Sequence, residues 1–183
     1  MKTNPNEAVR SLNNQSSQEN SASLREILEY RNENVISRFT EKFDVSQEEA
    51  VDLFSETLKF IYLGRKSKEG IFINSDLLMI DEMWHNFILF TKDYHEFCRK
   101  YFGRYVHHTP TSYQEKQERE RQKKEEPEKI KEVFLKQLKD LVSTTYDHLG
   151  EETVRKWFEL YPEKYSEENI EKLQILKSKT GGS

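Results

Sequence analysis

Residues 80–110 read IDEMWHNFILFTKDYHEFCRKYFGRYVHHTP and predict two consecutive helices followed by an irregular segment. Thr91 has the side chain of a helix N-cap, and Gly103 suits the C-terminal end of a helix. Both connections are therefore short, and consecutive helices with short connections tend to pack on each other. The stretch thus predicts a packed helix pair, and it also holds most of the chemically versatile side chains of the protein.

The rest of the chain extends this helical pattern in both directions. Glu, Lys and Leu are plentiful, whereas the 183 residues include only six glycines and four prolines, a composition that favours helices. Apolar residues recur at helical spacing from Ser23, in a helix opened by Ser46, and again after Pro127. We predict an all-α fold, a compact bundle of five to seven helices with a disordered N-terminal tail.

The composition changes along the chain and suggests four segments. Residues 1–22 are rich in Asn, Ser and Gln and are predicted to be a disordered tail. Residues 23–112 form the helical signature region, and 113–128 a charged linker or helix. Residues 129–180 are expected to be C-terminal helices packing on the same domain. Charges of both signs in 114–132 are typical of a solvated helix, and the pattern leaves open whether this is a rigid helix or a hinge.

Composition also narrows the classes of partner. Lys and Arg total 29 against 33 Asp and Glu, a formal net charge of −4, and no basic stripe of one sign is present. We therefore expect a protein partner, and neither nucleic acid nor a membrane. A single cysteine excludes an intramolecular disulfide, and the absence of a signal segment or a long apolar run predicts a cytoplasmic location.

The histidines are concentrated in the opening stretch. Four of the five, and the only cysteine, fall there: His85, His95, His107, His108 and Cys98. On a helical wheel Asp81 and His85 lie one turn apart on the apolar face, so their side chains can touch. A buried carboxylate without a partner is unfavourable by several kcal/mol, and His85 is the nearest candidate partner.

The next helix adds Tyr94 and Cys98 on one face, and the irregular segment after Gly103 brings His107 and His108 back. Three interpretations remain open. Asp81, His85 and a late histidine form a hydrogen-bonded network that fixes helix packing. Alternatively, these residues bind one divalent metal, zinc or iron, with His107 or His108 as the third ligand. In the third interpretation Cys98 is a nucleophile activated by a histidine, although no nucleophile signature surrounds it.

Several spaced residues match a family pattern: Asp81-x-x-Trp84-His85, Thr91-x-x-Tyr94, Phe97-Cys98, Gly103 and His107-His108-x-Pro110. Through them the chain resembles the glycine-rich domain-containing protein-like family, and most closely its short stand-alone bacterial-type members. The resemblance implies a helical domain and a signature cluster that includes Trp84, Tyr94 and Cys98. It implies no biochemical activity, and the six glycines give no reason to carry over an RNA role.

Two functional hypotheses follow. The first is a small intracellular helical interaction or regulatory module whose buried polar cluster is structural or organised by a metal. It requires exposed apolar surface, for which Trp157 and Phe158 are candidates, although core packing is the more ordinary role of both. The second is a metal-dependent enzyme with Asp81, His85 and His107 or His108 as ligands, an open coordination position, and Tyr94 as an acid or hydrogen-bond donor. The enzyme needs a solvent-connected cavity that reaches His85, whereas pure packing needs Asp81 and His85 sealed and fully hydrogen-bonded.

Overall fold

The computed structural model describes residues 22–66, 75–109 and 112–175, so the predicted disordered tail lies outside the described residues except for its last position. The first part holds α1 (Leu24–Leu28), α2 (Glu33–Lys42) and α3 (Gln47–Lys66). A 3-10 turn (Ser75–Leu77) leads into α4 (Leu78–Leu89), followed by α5 (Thr91–Phe102). The last part holds α6 (Tyr113–Glu125), α7 (Pro127–Leu149), α8 (Glu151–Arg155), a π-helical turn (Lys156–Leu160), α9 (Tyr161–Lys164) and α10 (Glu167–Leu173). The predicted all-α fold is confirmed.

Helix α3 lies at the centre of the fold and contacts α1, α2, α4 and α7. It is apolar on several sides, as expected for a helix surrounded by others, and Leu53, Phe54, Phe60 and Ile61 are all buried. Gly64 lies inside this helix, although a glycine near the end of an apolar stripe often marks a helix stop. The helix continues to Lys66 because Gly64 keeps a helical backbone, whereas only Gly103 and Gly150 have positive φ among the described residues.

The opening stretch forms the expected packed pair, α4 and α5, with Phe90 as the one residue between them. Phe87 packs against Tyr94 and Phe97 of the second helix, with ring centroids 5.0 and 5.4 Å apart. Gly103 ends α5 in the left-handed region at φ 68°, as predicted. Thr91, in contrast, is the first helical residue and not the N-cap, because the chain turns one residue earlier.

The C-terminal part leaves the core and then returns to it. Helix α6 buries no side chain and relies on a Ser112–Glu115 capping box and local ion pairs. In α7 only Leu141 and Thr145 are buried. Residues 151–175 then pack back on α3, and the chain after α10 pairs with the α2–α3 connection through an Ile175 N–H bond to the Lys42 carbonyl (2.9 Å). Across the described ranges, no helix has the length and apolar character needed to cross a membrane.

Candidate metal site

An acidic and two basic side chains converge where the irregular segment after α5 passes α4. Helix α4 presents Asp81 in its first turn and His85 one turn later. His108 approaches from the segment that follows Gly103. Its Nε2 lies 2.9 Å from Asp81 Oδ1, and His85 Nδ1 lies 3.5 Å from Asp81 Oδ2. We call Asp81, His85 and His108 the Asp–His–His cluster.

Trp84 and Tyr94 fix the position of His108. The Trp84 indole N–H donates to the Tyr94 hydroxyl (3.0 Å), and that hydroxyl donates to the Val106 carbonyl (2.7 Å), two residues before His108. The indole also stacks on the His108 ring, with centroids 4.3 Å apart and planes inclined by 13°. On its other face His108 meets His85 at 4.4 Å. The His108 ring is therefore held between Trp84 and His85.

Cys98 is buried one turn after Tyr94 and is not part of the cluster. Burial raises the pKa of its thiol above the ordinary value, and hydrogen bonding with the Val106 backbone and the Tyr94 hydroxyl offsets only part of this. A thiol that stays protonated is a poor nucleophile. The structure thus gives no support to the nucleophile interpretation.

Tyr94 itself is fully buried, and burial raises its pKa far above that of a free tyrosine. Its proton is committed to the Val106 carbonyl. It positions the histidine segment, and the structure does not favour the role of catalytic acid that the sequence allowed.

The contact between Asp81 and His108 is close but not aligned as a hydrogen bond. Asp81 Oδ1 and His108 Nε2 are both buried, and neither has a correctly oriented hydrogen-bond partner among the described residues. Buried polar atoms left in this state are uncommon, and each calls for an explanation such as a bound ion or water. The sealed, fully hydrogen-bonded network required by the packing interpretation is therefore not what the structure shows.

The separations of the cluster approach those of ligands on one ion. Carboxylate oxygen and imidazole nitrogen bind zinc at about 2.0–2.2 Å, so two such donors at the tetrahedral angle lie about 3.3–3.6 Å apart. The Asp81–His108 separation of 2.9 Å is somewhat shorter, so these two groups would move slightly apart to hold zinc. One ligand atom from each of Asp81, His85 and His108 lies within 4.8 Å of the others. Donors as far apart as 4.8 Å cannot share one ion, so His85, the most exposed of the three, would have to move closer for all three to bind.

Exposure within the cluster is graded. The His108 side chain is 8% exposed, Asp81 20% and His85 46%. The cluster therefore opens to solvent on the side of His85, the residue that has to move. A sealed packing network lacks such exposure, whereas the enzyme hypothesis requires more than exposure, namely a solvent-connected cavity that reaches His85.

The structure also separates the two adjacent histidines. The exposed His107 packs against Tyr105 at 4.8 Å and lies outside the cluster, so only His108 joins Asp81 and His85. His95 is exposed on α5 and is likewise outside. Trp84 and Tyr94 were recognisable from the sequence as signature residues. Their role in holding the His108 segment was not, since no local sequence pattern reveals which rings stack on each other.

Comparison with known proteins places the chain in a family. The model of the family described as UCP032817-like matches residues 20–135, so the chain belongs to this family, which is uncharacterised. The match includes the whole Asp–His–His cluster and ends within α7. No curated protein and no solved structure matches the chain.

The resemblance to glycine-rich domain-containing proteins is wrong. The matching family model is a different one, and nothing indicates a glycine-rich family. The error has a simple source, because a few spaced residues on two helices can recur where short helices pack around aromatic side chains. The chain's six glycines had already shown that no glycine-rich region is present.

Proposed function

We propose that this member of the UCP032817-like family binds one divalent transition-metal ion, zinc or iron(II), through Asp81, His85 and His108. A single observation carries the proposal. Asp81 Oδ1 and His108 Nε2 lie 2.9 Å apart, both buried, without the alignment of a hydrogen bond. A cation between them would satisfy both atoms at once.

The donor set selects the class of metal. One carboxylate and two imidazoles form a borderline set that suits zinc and iron(II). Calcium and magnesium prefer sites made of oxygen atoms alone, which this cluster cannot provide. Three protein ligands leave at least one position for water or another small ligand, on the exposed side of His85.

The metal has an organising role in this proposal. It ties the segment that carries His108 to the first two turns of α4. Without the metal, these two parts of the chain are joined mainly by contacts between side chains. The open position also favours an alternative, a metal-dependent enzyme in which the ion activates water or polarises a substrate. The specific observation behind this alternative is the 46% exposure of His85.

Elemental analysis of protein purified without a histidine tag tests the proposal, with reconstitution in zinc or iron(II) before desalting. We expect close to one equivalent of metal in the wild type and loss of the metal in His108→Ala and Asp81→Asn. His107→Ala is the matched control, because it removes the neighbouring histidine, and should retain the metal. A wild type that stays metal-free, or equal metal in the His107 and His108 variants, would contradict the proposal.

We further propose that α7 provides an interaction surface for a protein partner, in line with the hypothesis of a helical module. The supporting observation is an apolar stripe on α7, with Leu135 and Tyr146 exposed and Leu138 and Val142 lining the same shallow groove. Trp157 is fully buried and Phe158 packs against the core, so core packing is confirmed for both residues and the exposed apolar surface lies elsewhere.

The α7 proposal has its own test. The double variant Leu135→Glu, Tyr146→Glu should abolish capture of partners by the full-length protein, measured by quantitative mass spectrometry. The matched control carries Gln114→Glu and Gln117→Glu on the exposed face of α6. Identical capture by both variants would remove the support for α7 as the surface.

A further inference from the structure

A second buried polar cluster joins α3 to the C-terminal helices. The Trp157 indole N–H donates to Glu56 Oε2 (2.8 Å), while Lys59 Nζ and Lys156 Nζ lie 2.9 and 3.0 Å from Oε1. We call these four residues the Glu56 clasp. Lys156 and Trp157 begin the π-helical turn, so the clasp holds this turn, and with it residues 151–164, against α3.

A row of rings connects the clasp to the Asp–His–His cluster. The Trp157 ring centroid lies 5.8 Å from that of Phe60, and Phe60 lies 5.9 Å from Trp84. Trp84 in turn stacks on His108 at 4.3 Å. Phe60 is buried, so its ring has no freedom to leave the row without creating a void.

The C-terminal helices also support α4, the helix that carries Asp81 and His85. Helix α9 and the π-helical turn contact the 3-10 turn Ser75–Leu77. This turn leads directly into α4, whose first turn carries Asp81. Residues 151–164 are thus connected to both parts of the cluster, to the start of α4 through the 3-10 turn and to His108 through Phe60 and Trp84.

We propose that docking of residues 151–164 sets the metal affinity of the Asp–His–His cluster, with Phe60 and Trp157 as positioning residues. This inference rests on the proposed metal-binding function. The docked helices hold Trp84 against His108 and hold the start of α4, so Asp81 and His108 stay near the separation that a metal requires. Undocking releases both constraints and weakens binding.

Linkage makes the coupling reciprocal. If docking tightens metal binding by some factor, metal binding favours docking by the same factor, and couplings between sites are typically about 5–150-fold. The metal should therefore protect the backbone amides of 151–164 from hydrogen exchange. If these helices open locally while the cluster stays intact, the metal changes their hydrogen exchange only when docking and metal binding are coupled.

The first experiment compares zinc dissociation constants of full-length variants by chelator competition, under conditions where each is fully folded. Phe60→Leu removes the ring that links the two tryptophans, and we expect its Kd to rise at least about fivefold. Phe39→Leu is the matched control, since Phe39 is a fully buried phenylalanine of α2, outside residues 151–164, and its ring packs on Phe43. Its Kd should stay within about twofold of wild type.

The second experiment needs no core variant and keeps the inference testable if Phe60→Leu folds poorly. Hydrogen exchange of wild-type residues 151–164 is measured with and without saturating zinc, with Asp81→Asn as the control that lacks the site. We expect slower exchange with zinc in the wild type alone. Tight zinc binding with unchanged exchange, or equal Kd values in both phenylalanine variants, would overturn the inference and leave the metal site standing. A wild type that binds no zinc would overturn both.

Discussion

Each of the two tryptophans lies in or beside a polar cluster, and the carboxylates of the two clusters differ in how well they are hydrogen-bonded. At the Glu56 clasp the carboxylate is 4% exposed, and it receives the Trp157 indole N–H and two ammonium groups. At the Asp–His–His cluster Asp81 is 20% exposed, its nearest neighbour is misaligned, and the Trp84 indole bonds elsewhere. The first carboxylate is satisfied by the protein and the second is not. This contrast is the basis on which we propose a structural role for the clasp and a ligand site at the cluster.

The charge balance of the clasp supports this distinction. Burial alone would lower the pKa of Lys156, but hydrogen bonds to Asp52 and Glu56 raise it above its ordinary value. Lys156 therefore remains an ammonium group at neutral pH. The clasp also joins the family-matched region, which holds Glu56, to the C-terminal segment beyond residue 135, which holds Lys156 and Trp157.

The largest expected effect comes from breaking the clasp. Trp157→Ala should lower the free energy of unfolding by about 3–5 kcal/mol, because it empties a fully buried site and leaves Glu56 without its indole donor. Urea denaturation followed by circular dichroism measures the change. A loss below about 1 kcal/mol would show that the clasp is not the structural member of the pair.

Loading the Asp–His–His cluster should have the next largest effect, with the opposite sign. Zinc at a free concentration one hundred times its Kd should stabilise the wild type by about 2.7 kcal/mol, because it binds the native state alone. Asp81→Asn should show no such shift, whereas Glu56→Gln should show a smaller shift at lower overall stability, because a weakened clasp raises the Kd. Thermal melts with and without zinc provide the measurement. A shift that survives in Asp81→Asn would place the metal elsewhere.

Alkaline pH should lower the free energy of unfolding through one buried tyrosine beside the cluster and one in the C-terminal part. The two contributions should be similar, and smaller than the two effects above. Burial raises the pKa of Tyr94, beside the cluster, and that of Tyr165, whose hydroxyl donates to Glu49. The folded state keeps both phenols neutral, while the unfolded chain ionises them near pH 10. Their contribution is thus complete below about pH 10, and each loses about 1.4 kcal/mol per pH unit above it. Tyr94→Phe and Tyr165→Phe should each flatten the loss seen in urea titrations at pH 9–11, and an unchanged slope would refute the assignment.

Much of the fold near the cluster follows from local sequence. The helix pair, its end at Gly103 and the one-turn spacing of Asp81 and His85 all come from periodicity and capping. The choice of His108 over His107 does not, because the two are neighbours in an irregular segment. That choice depends on the Tyr94–Val106 hydrogen bond and on the Trp84 ring, both set by tertiary packing.

The clasp shows a different limit of sequence reasoning. Glu56 lies in the central helix α3, and a glutamate is usually expected at the surface. It is buried because Lys156 and Trp157 arrive from about one hundred residues further along the chain. No sequence pattern around Glu56 predicts contacts with Lys156 and Trp157, so the residue could not be recognised from the sequence as part of a buried network.

The most direct test of the central claim is an anomalous difference map from zinc-soaked crystals, collected on both sides of the zinc absorption edge. We predict one strong peak about 2 Å from both Asp81 Oδ1 and His108 Nε2, with His85 moved closer to complete the ligand set. A map with no peak there, while zinc occupies other histidines such as His95 or His107, would contradict it.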